Sequence, residues 1–133
     1  MKFIIDNIVW LSVAIVSGAA LLFPALQRRG AKVSHLQATQ YMNQPKTLVL
    51  DVRNADEFAA GHLQNAKNIP VAELNTRLKE IEKSKNNVVL TVCATGVRSA
   101  SAAALLSKAG FEQVFSLEGG LESWKSQGLP TVK

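Results

Sequence analysis

Apolar positions fall into two regimes along the 133-residue chain. Near the start, residues 7–27 read NIVWLSVAIVSGAALLFPALQ, a run of 21 residues without a formal charge. Asp6 closes it on one side, Arg28 and Arg29 on the other. A helix rises ~1.5 Å per residue, so the run reaches the ~30 Å of a bilayer's hydrocarbon core. A buried core helix is usually shorter and more amphipathic. A cleaved signal peptide needs a charged start, a shorter apolar core and a small-x-small cleavage site. Here Lys2 is the only charge before Asp6, and Arg28, Arg29 and Lys32 directly after the run oppose export. Residues 1–29 are therefore expected to be an N-terminal anchor with one transmembrane helix over 7–27. Trp10 near one end suits an interfacial aromatic, and Pro24 near the other suits a helix exit. Ala14 and Gly18 form a small-xxx-small pair, a weak signal for helix association.

Beyond the anchor the pattern shortens. Residues 30–33 read as a linker. Ser34 is placed to cap a helix over 35–43, which Pro45 ends. TLVLD, residues 47–51, is a short apolar run suited to a buried strand. Asn54, with Glu57 three residues later, predicts a variant capping box opening a helix over 55–60. Gly61 ends that helix, and a short strand follows over 67–69. In VAELNTRLKEIEK, residues 71–83, Leu74, Leu78 and Ile81 stand at i, i+4 and i+7, the pattern of one amphipathic helix. Asn86 and Asn87 turn the chain into VVLTV, residues 88–92, a β-branched central strand. A helix over 99–109 stops at Gly110. A strand over 114–117 and a helix over 121–127 complete the order, with Gly128 and Pro130 as stops. This alternation predicts an α/β domain over residues 30–133, a parallel sheet with helices on both faces. In such sheets, sites form at the C-terminal ends of strands.

Charge modifies this picture little. The net charge of +5 invites a nucleic-acid reading, but beyond residue 29 only 12 Lys and Arg face 9 Asp and Glu. They are interspersed, as in RLKEIEK, residues 77–83, which reads as a solvated helix face rather than a nucleic-acid surface. The positive-inside rule places whatever follows Arg28 in the cytoplasm, facing in from the inner membrane if the chain is bacterial. The single cysteine rules out an internal disulfide and fits a reducing compartment.

That cysteine, Cys93, lies just past the end of the best strand. An isolated cysteine is ordinarily a small buried hydrophobe. Here it opens CATGVR, a strand-to-helix loop whose Gly96 permits tight curvature. Such a loop turns backbone N–H groups toward one centre, and the helix after it adds unpaired N–H groups and a dipole. Both stabilise an anion, whether the Cys93 thiolate or a bound oxyanion. A free thiol near pKa ~8.5 is only a few per cent ionised at neutral pH, and helix N-termini with nearby cations bring it to ~3.5–7.5. Arg98 is the one charge in the loop; its side chain either faces the site or pairs outward with a carboxylate. Ser99 reads as a helix cap rather than a catalytic group.

Three stretches now carry a resemblance. LDVRNADEFAAGHLQNAKNIP, residues 50–70, resembles the first signature of rhodanese domains. CATGVRS, residues 93–99, is similar to their active-site loop, and FSLEGGLESWKSQGLP, residues 115–130, to their closing signature. They occur in order across residues 33–133. The resemblance implies sulfurtransfer: Cys93 attacks the outer sulfur of a donor such as thiosulfate and becomes a persulfide, and cyanide or a thiol accepts that sulfur. The amides of Ala94, Thr95, Gly96, Val97, Arg98 and Ser99 would hold the persulfide, with no metal or cofactor. Asp51, Arg53, Glu57, His62 and Trp124 match family positions and read mainly as structural. Asp51 and Arg53 are expected beside the loop, Arg53 and Glu57 as an ion pair, and His62 as a packing or hydrogen-bonding residue. The spacing of His35, His62 and Cys93 suggests no metal.

Many family members carry a basic or polar residue where this chain has Ala94. A polysulfide, or a persulfide on a partner protein, is therefore as plausible a donor as thiosulfate. Two other readings stand beside the transferase. Phosphatase and arsenate reductase loops resemble C-x5-R, whereas Cys93 and Arg98 give C-x4-R, a cradle expected to be too small for phosphate. The domain could instead be a recruitment module with little turnover, binding a membrane protein partner.

Overall fold

A computed structural model describes residues 2–27 and 31–133, without the side chains of 19–27. Helix α1 (Lys2–Gln27) is 26 residues long. Among the described residues, no helix is long and apolar enough to cross a membrane. The span expected over residues 7–27 runs past Gly18 into side chains outside the described residues. Those that are described stand open: Phe3, Trp10, Ile15 and Val16 are 69–79% exposed.

The first element of the domain is a strand where a linker is expected. Residues Ala31–Val33, read as linker, form strand β1, paired in parallel with the C-terminal strand of the sheet. Three residues carry no period of their own. It is the open edge of a distant strand that orders them, and Val33 is buried as a result. Helix α2 (His35–Met42) follows a capping box in which Ser34 Oγ accepts the Gln37 N–H at 3.3 Å. Then come β2 (Leu48–Asp51), α3 (Ala55–Ala60) and β3 (Lys67–Asn68).

The expected amphipathic helix over 71–83 is two shorter pieces. Helix α4 (Val71–Leu74) gives way to a 3-10 helix, Leu78–Ser84. At the break the Glu73 carbonyl accepts the Thr76 hydroxyl at 2.9 Å together with the Thr76 and Arg77 N–H groups at 3.1 Å. With three residues per turn, Leu78 and Ile81 superimpose on the core side. The apolar positions face the core as expected, but the helix is broken after Leu74 and its second piece is 3-10.

Strand β4 (Val88–Val92) is buried at all five positions, as a central strand must be. Helix α5 (Val97–Lys108), strand β5 (Gln113–Leu117) and helix α6 (Gly120–Ser126) complete the chain. All pairings are parallel, in the order β1-β5-β4-β2-β3. Successive side chains point to opposite faces. Leu50 and Val89 pack beneath Leu74, Ile81, Ala102, Ala103 and Leu106. Val49, Leu90 and Val92 pack against Ala38, Leu121 and Trp124 on the other face. Helices thus cover both faces, and the C-terminal end of β4 emerges at the middle of the sheet.

Candidate active site

Cys93 follows β4 directly, and its side chain is fully buried. The turn that brings α5 back over the sheet is made at Gly96, whose φ of 102° is left-handed and favours glycine. Helix α5 starts at Val97, two residues before the expected start at Ser99. Gly96 is therefore the N-cap. Ser99, expected to be the cap, lies in the first turn and is buried against the thiol.

This shift places two hydrogen-bond partners on sulfur. The Gly96 N–H donates to Cys93 Sγ at 3.0 Å, and Ser99 Oγ lies 3.4 Å from it. Ser99 Oγ also lies 3.1 Å from the Gly96 carbonyl and 2.9 Å from Ser116 Oγ on β5. A neutral thiol donates to Ser99 Oγ, which then donates to the Gly96 carbonyl. A thiolate receives the Ser99 proton instead, and Ser116 donates to Ser99 Oγ. The hydroxyl pair therefore serves either charge state by rotation alone. Thr91, on β4, anchors the same turn, with its hydroxyl 2.9 Å from the Ser99 carbonyl.

Behind the loop lies the start of α6. The N–H groups of Leu121 and Glu122 donate to the carbonyls of Cys93 and Ala94 at 2.8 and 3.0 Å. Those carbonyls are turned outward toward α6, which leaves the loop amides to face the sulfur. The approach is close enough to demand glycine. A Cβ on Gly120 would sit 2.5 Å from the Ala94 carbonyl oxygen, and φ there is +64°.

Burial pushes the Cys93 thiol up. The Ser99 hydroxyl and the N–H groups of Ser99, Gly96 and Thr95 pull it down further, leaving it below the ordinary thiol value. Arg98 is not aimed at the sulfur. Its Nη1 and Nη2 donate to Glu57 Oε1 and Oε2 at 2.8 and 3.0 Å, a bidentate pair joining α5 to α3. The Arg98 hydrogen bond holds the Glu57 carboxyl down at about 2; burial opposes it and the Asn54 N–H assists.

The expected Arg53–Glu57 pair is not formed. Arg53 Nη2 lies 2.7 Å from Asp51 Oδ2 and 2.6 Å from the Gly61 carbonyl, and both partners of the ion pair are buried. Asp51 and Arg53 therefore brace the end of β2 and the turn after α3 rather than touching Cys93. His62 stacks on Phe58 at 3.8 Å, and the Trp124 indole N–H donates to the Pro130 carbonyl at 2.9 Å. Both make packing and hydrogen-bonding contacts of the kind expected from sequence. Of the loop residues, Ala94 and Arg98 are half-buried, Thr95 is exposed, and Val97 is 72% exposed at the rim. Ser116 was not foreseen. It is one small polar residue in a strand, and nothing local marks it as facing Ser99.

A thiol stabilised as an anion by a strand-to-helix amide loop, at the C-terminal end of the central strand of a parallel sheet, defines a cysteine-based α/β domain of the sulfur- or oxyanion-handling kind. The family model for the rhodanese-like domain matches residues 34–127, and the chain belongs to that family. The thiosulfate sulfurtransferase GlpE of Coxiella burnetii is 35% identical over 95 residues, 71% of this chain and 87% of its own. The uncharacterized protein YibN of Escherichia coli K12 is 30% identical over 128 residues, 96% of this chain and 89% of its own. Among solved structures, a rhodanese-related protein of Thermoplasma volcanium superimposes with a TM-score of 0.66. It is 35% identical over 77% of this chain and 97% of its own. A NAD-dependent persulfide reductase of A. fulgidus gives 0.58 at 30% identity, covering 80% of this chain but 18% of that larger one.

Proposed function

We propose that this protein is a sulfurtransferase that carries sulfane sulfur as a persulfide on Cys93 and passes it to a thiol or another nucleophile. The observation that carries the reading is the environment of Sγ: buried, held by the Gly96 N–H at 3.0 Å, and faced by a hydroxyl that adapts to charge. The thiolate attacks the outer sulfur of the donor, and the donor's S–S bond breaks with its electron pair on the leaving group. The loop amides of Ala94 to Ser99 then stabilise the anionic persulfide. With one cysteine in the chain, the acceptor is external. The similarity to GlpE, a thiosulfate sulfurtransferase by name, supports the reading. Intact-mass spectrometry of the full chain after exposure to thiosulfate or polysulfide tests it. Gain of one sulfur atom, removed by cyanide and absent in Cys93→Ser, is expected; no gain from any donor would refute it.

We further propose that residues 1–29 anchor the domain to a membrane in a single pass, with the domain on the cytoplasmic side. The open apolar side chains of α1 favour this, since a helix apolar all round belongs in a core or a bilayer. The YibN match spans 96% of the chain and so extends across this segment. Carbonate extraction of membranes and protease protection in spheroplasts test the two parts. Release by carbonate would refute the anchor, and digestion from the outside would refute the orientation.

A further inference from the structure

We infer that the edge of the sheet at which its strands begin docks on the headgroups of an anionic phospholipid bilayer, so that the Cys93 mouth faces away from the membrane. This rests on the reading of residues 1–29 as an anchor and goes beyond it, by naming the side of the domain that meets lipid.

Chain continuity fixes the edge. Helix α1 ends at Gln27 and β1 starts at Ala31. That stretch of chain spans at most about 14 Å. Ala31 pairs with Phe115, close to the start of β5 at Gln113. All pairings in the sheet are parallel, so β1 starts on the same edge as β2, β4 and β5. The anchor therefore delivers the domain to the bilayer by this edge. Cys93, past the end of β4, lies at the opposite one.

Charge divides along the same axis. The segments that lead into the strands carry lysine: Lys46 before β2, Lys83 and Lys85 before β4, and Lys108 before β5. Lys46, Asn86, Asn87 and Gln113 line one hollow, which puts these three segments side by side. Lys46, Lys83 and Lys108 are exposed, and among the described residues none of them is paired with a carboxylate. Two carboxylates share the edge: Glu82, paired with Lys85 at 3.7 Å, and Glu112. The sequence adds Arg28 and Arg29 where the anchor ends.

The opposite edge has the other sign. Its arginines are neutralised, Arg53 by Asp51 and Arg98 by Glu57. Asp56, Glu118 and Glu122 stand exposed there, against Lys125 beside Gly61. An anionic surface attracts the first edge and repels the second. The attraction reaches only about a Debye length, ~8–10 Å, from the headgroups. A junction this short brings the lysines to that layer.

The full chain would be added to preformed vesicles of phosphatidylcholine, alone or with roughly a quarter phosphatidylglycerol. Flotation reads attachment. A water-soluble acetylating reagent, followed by peptide mass spectrometry, reads the accessibility of each lysine. On the anionic vesicles Lys46, Lys83 and Lys108 should be acetylated about threefold more slowly than on the neutral ones, and high salt should remove the difference. Lys125 acetylation and Cys93 alkylation should be the same on both. In a chain carrying Lys46→Gln, Lys83→Gln and Lys108→Gln, the protection of Lys85 should disappear. Attachment to both vesicles with equal labelling of the edge lysines, or equal slowing of Lys125 and Cys93, would overturn the docking edge alone. Flotation with the anionic vesicles only would overturn the anchor, and protection of the edge lysines there would still support the docking edge. Flotation with neither would overturn both.

Discussion

Arg98 and Glu57 lie 41 positions apart and meet in a bidentate ion pair, with Nη1 2.8 Å from Oε1. The same Glu57 oxygen accepts the Asn54 N–H at 3.2 Å, so one carboxylate caps α3 and fixes the start of α5. It ties the first family signature to the cysteine loop and commits the loop's only cation to a carboxylate.

The pair has a pH signature. Glu57 is depressed to about 2 in the folded protein from an ordinary 4.5. Its contribution is therefore complete above pH 4.5 and is lost as pH falls toward 2. Both side chains are about a third exposed, which limits the contribution to ~0.2–1 kcal/mol. Thermal melts of the unaltered protein and Glu57→Gln should differ by that small amount at pH 7 and converge near pH 2. Glu80 is depressed to a similar value by Arg77, so only the difference between the two proteins reports on Glu57.

Ser116 touches Ser99 at 2.9 Å and reaches sulfur only through it. Removing its hydroxyl withdraws the donor that frees the Ser99 proton for a thiolate. Ser116→Ala should raise the Cys93 pKa, because the thiolate's hydrogen bond from Ser99 is weakened. Ser99→Ala should raise it further. The pH dependence of alkylation rate reads the value, and a purely structural loss would lower the melting temperature without moving it.

Gly120 tolerates no side chain against the loop. Gly120→Ala should destabilise the fold by about 2–3 kcal/mol, combining the clash with a positive φ. Chemical denaturation measures this. The variant that remains folded should load sulfur more slowly, because the Cys93 and Ala94 carbonyls no longer dock on α6.

Asp51 and Arg53 are a buried pair with no contact to sulfur. Asp51→Ala leaves Arg53 charged and uncompensated, at a cost of ~3–5 kcal/mol. Denaturation should show the loss, while the Cys93 pKa measured in the folded fraction stays close to its original value.

Much of the fold is legible in local pattern. VVLTV has the β-branched, uniformly apolar character of a strand covered on both faces, and its boundaries match β4 residue for residue. Cys93 is legible because a strand end and a glycine-bearing loop are adjacent in sequence. Strand β1 is not, since three residues become a strand only when the β5 edge is beside them. The helix over 71–83 was misread for a related reason. Leu74, Leu78 and Ile81 satisfy an α-helical period and a broken 3-10 arrangement alike, and the core accepts either.

The site divides the same way. Sequence by itself determined that Cys93 opens a glycine-bearing loop at the C-terminal end of a central strand, because this depends on residues within one strand–turn–helix unit. Only the tertiary structure decided which carboxylate meets which arginine, that Ser99 faces the thiol and not the helix end, and that Ser116 stands behind it. The Ser99–Ser116 and Glu57–Arg98 contacts join residues 17 and 41 positions apart. They follow from how the parallel strands and their crossover helices bring distant segments together, which no local periodicity records.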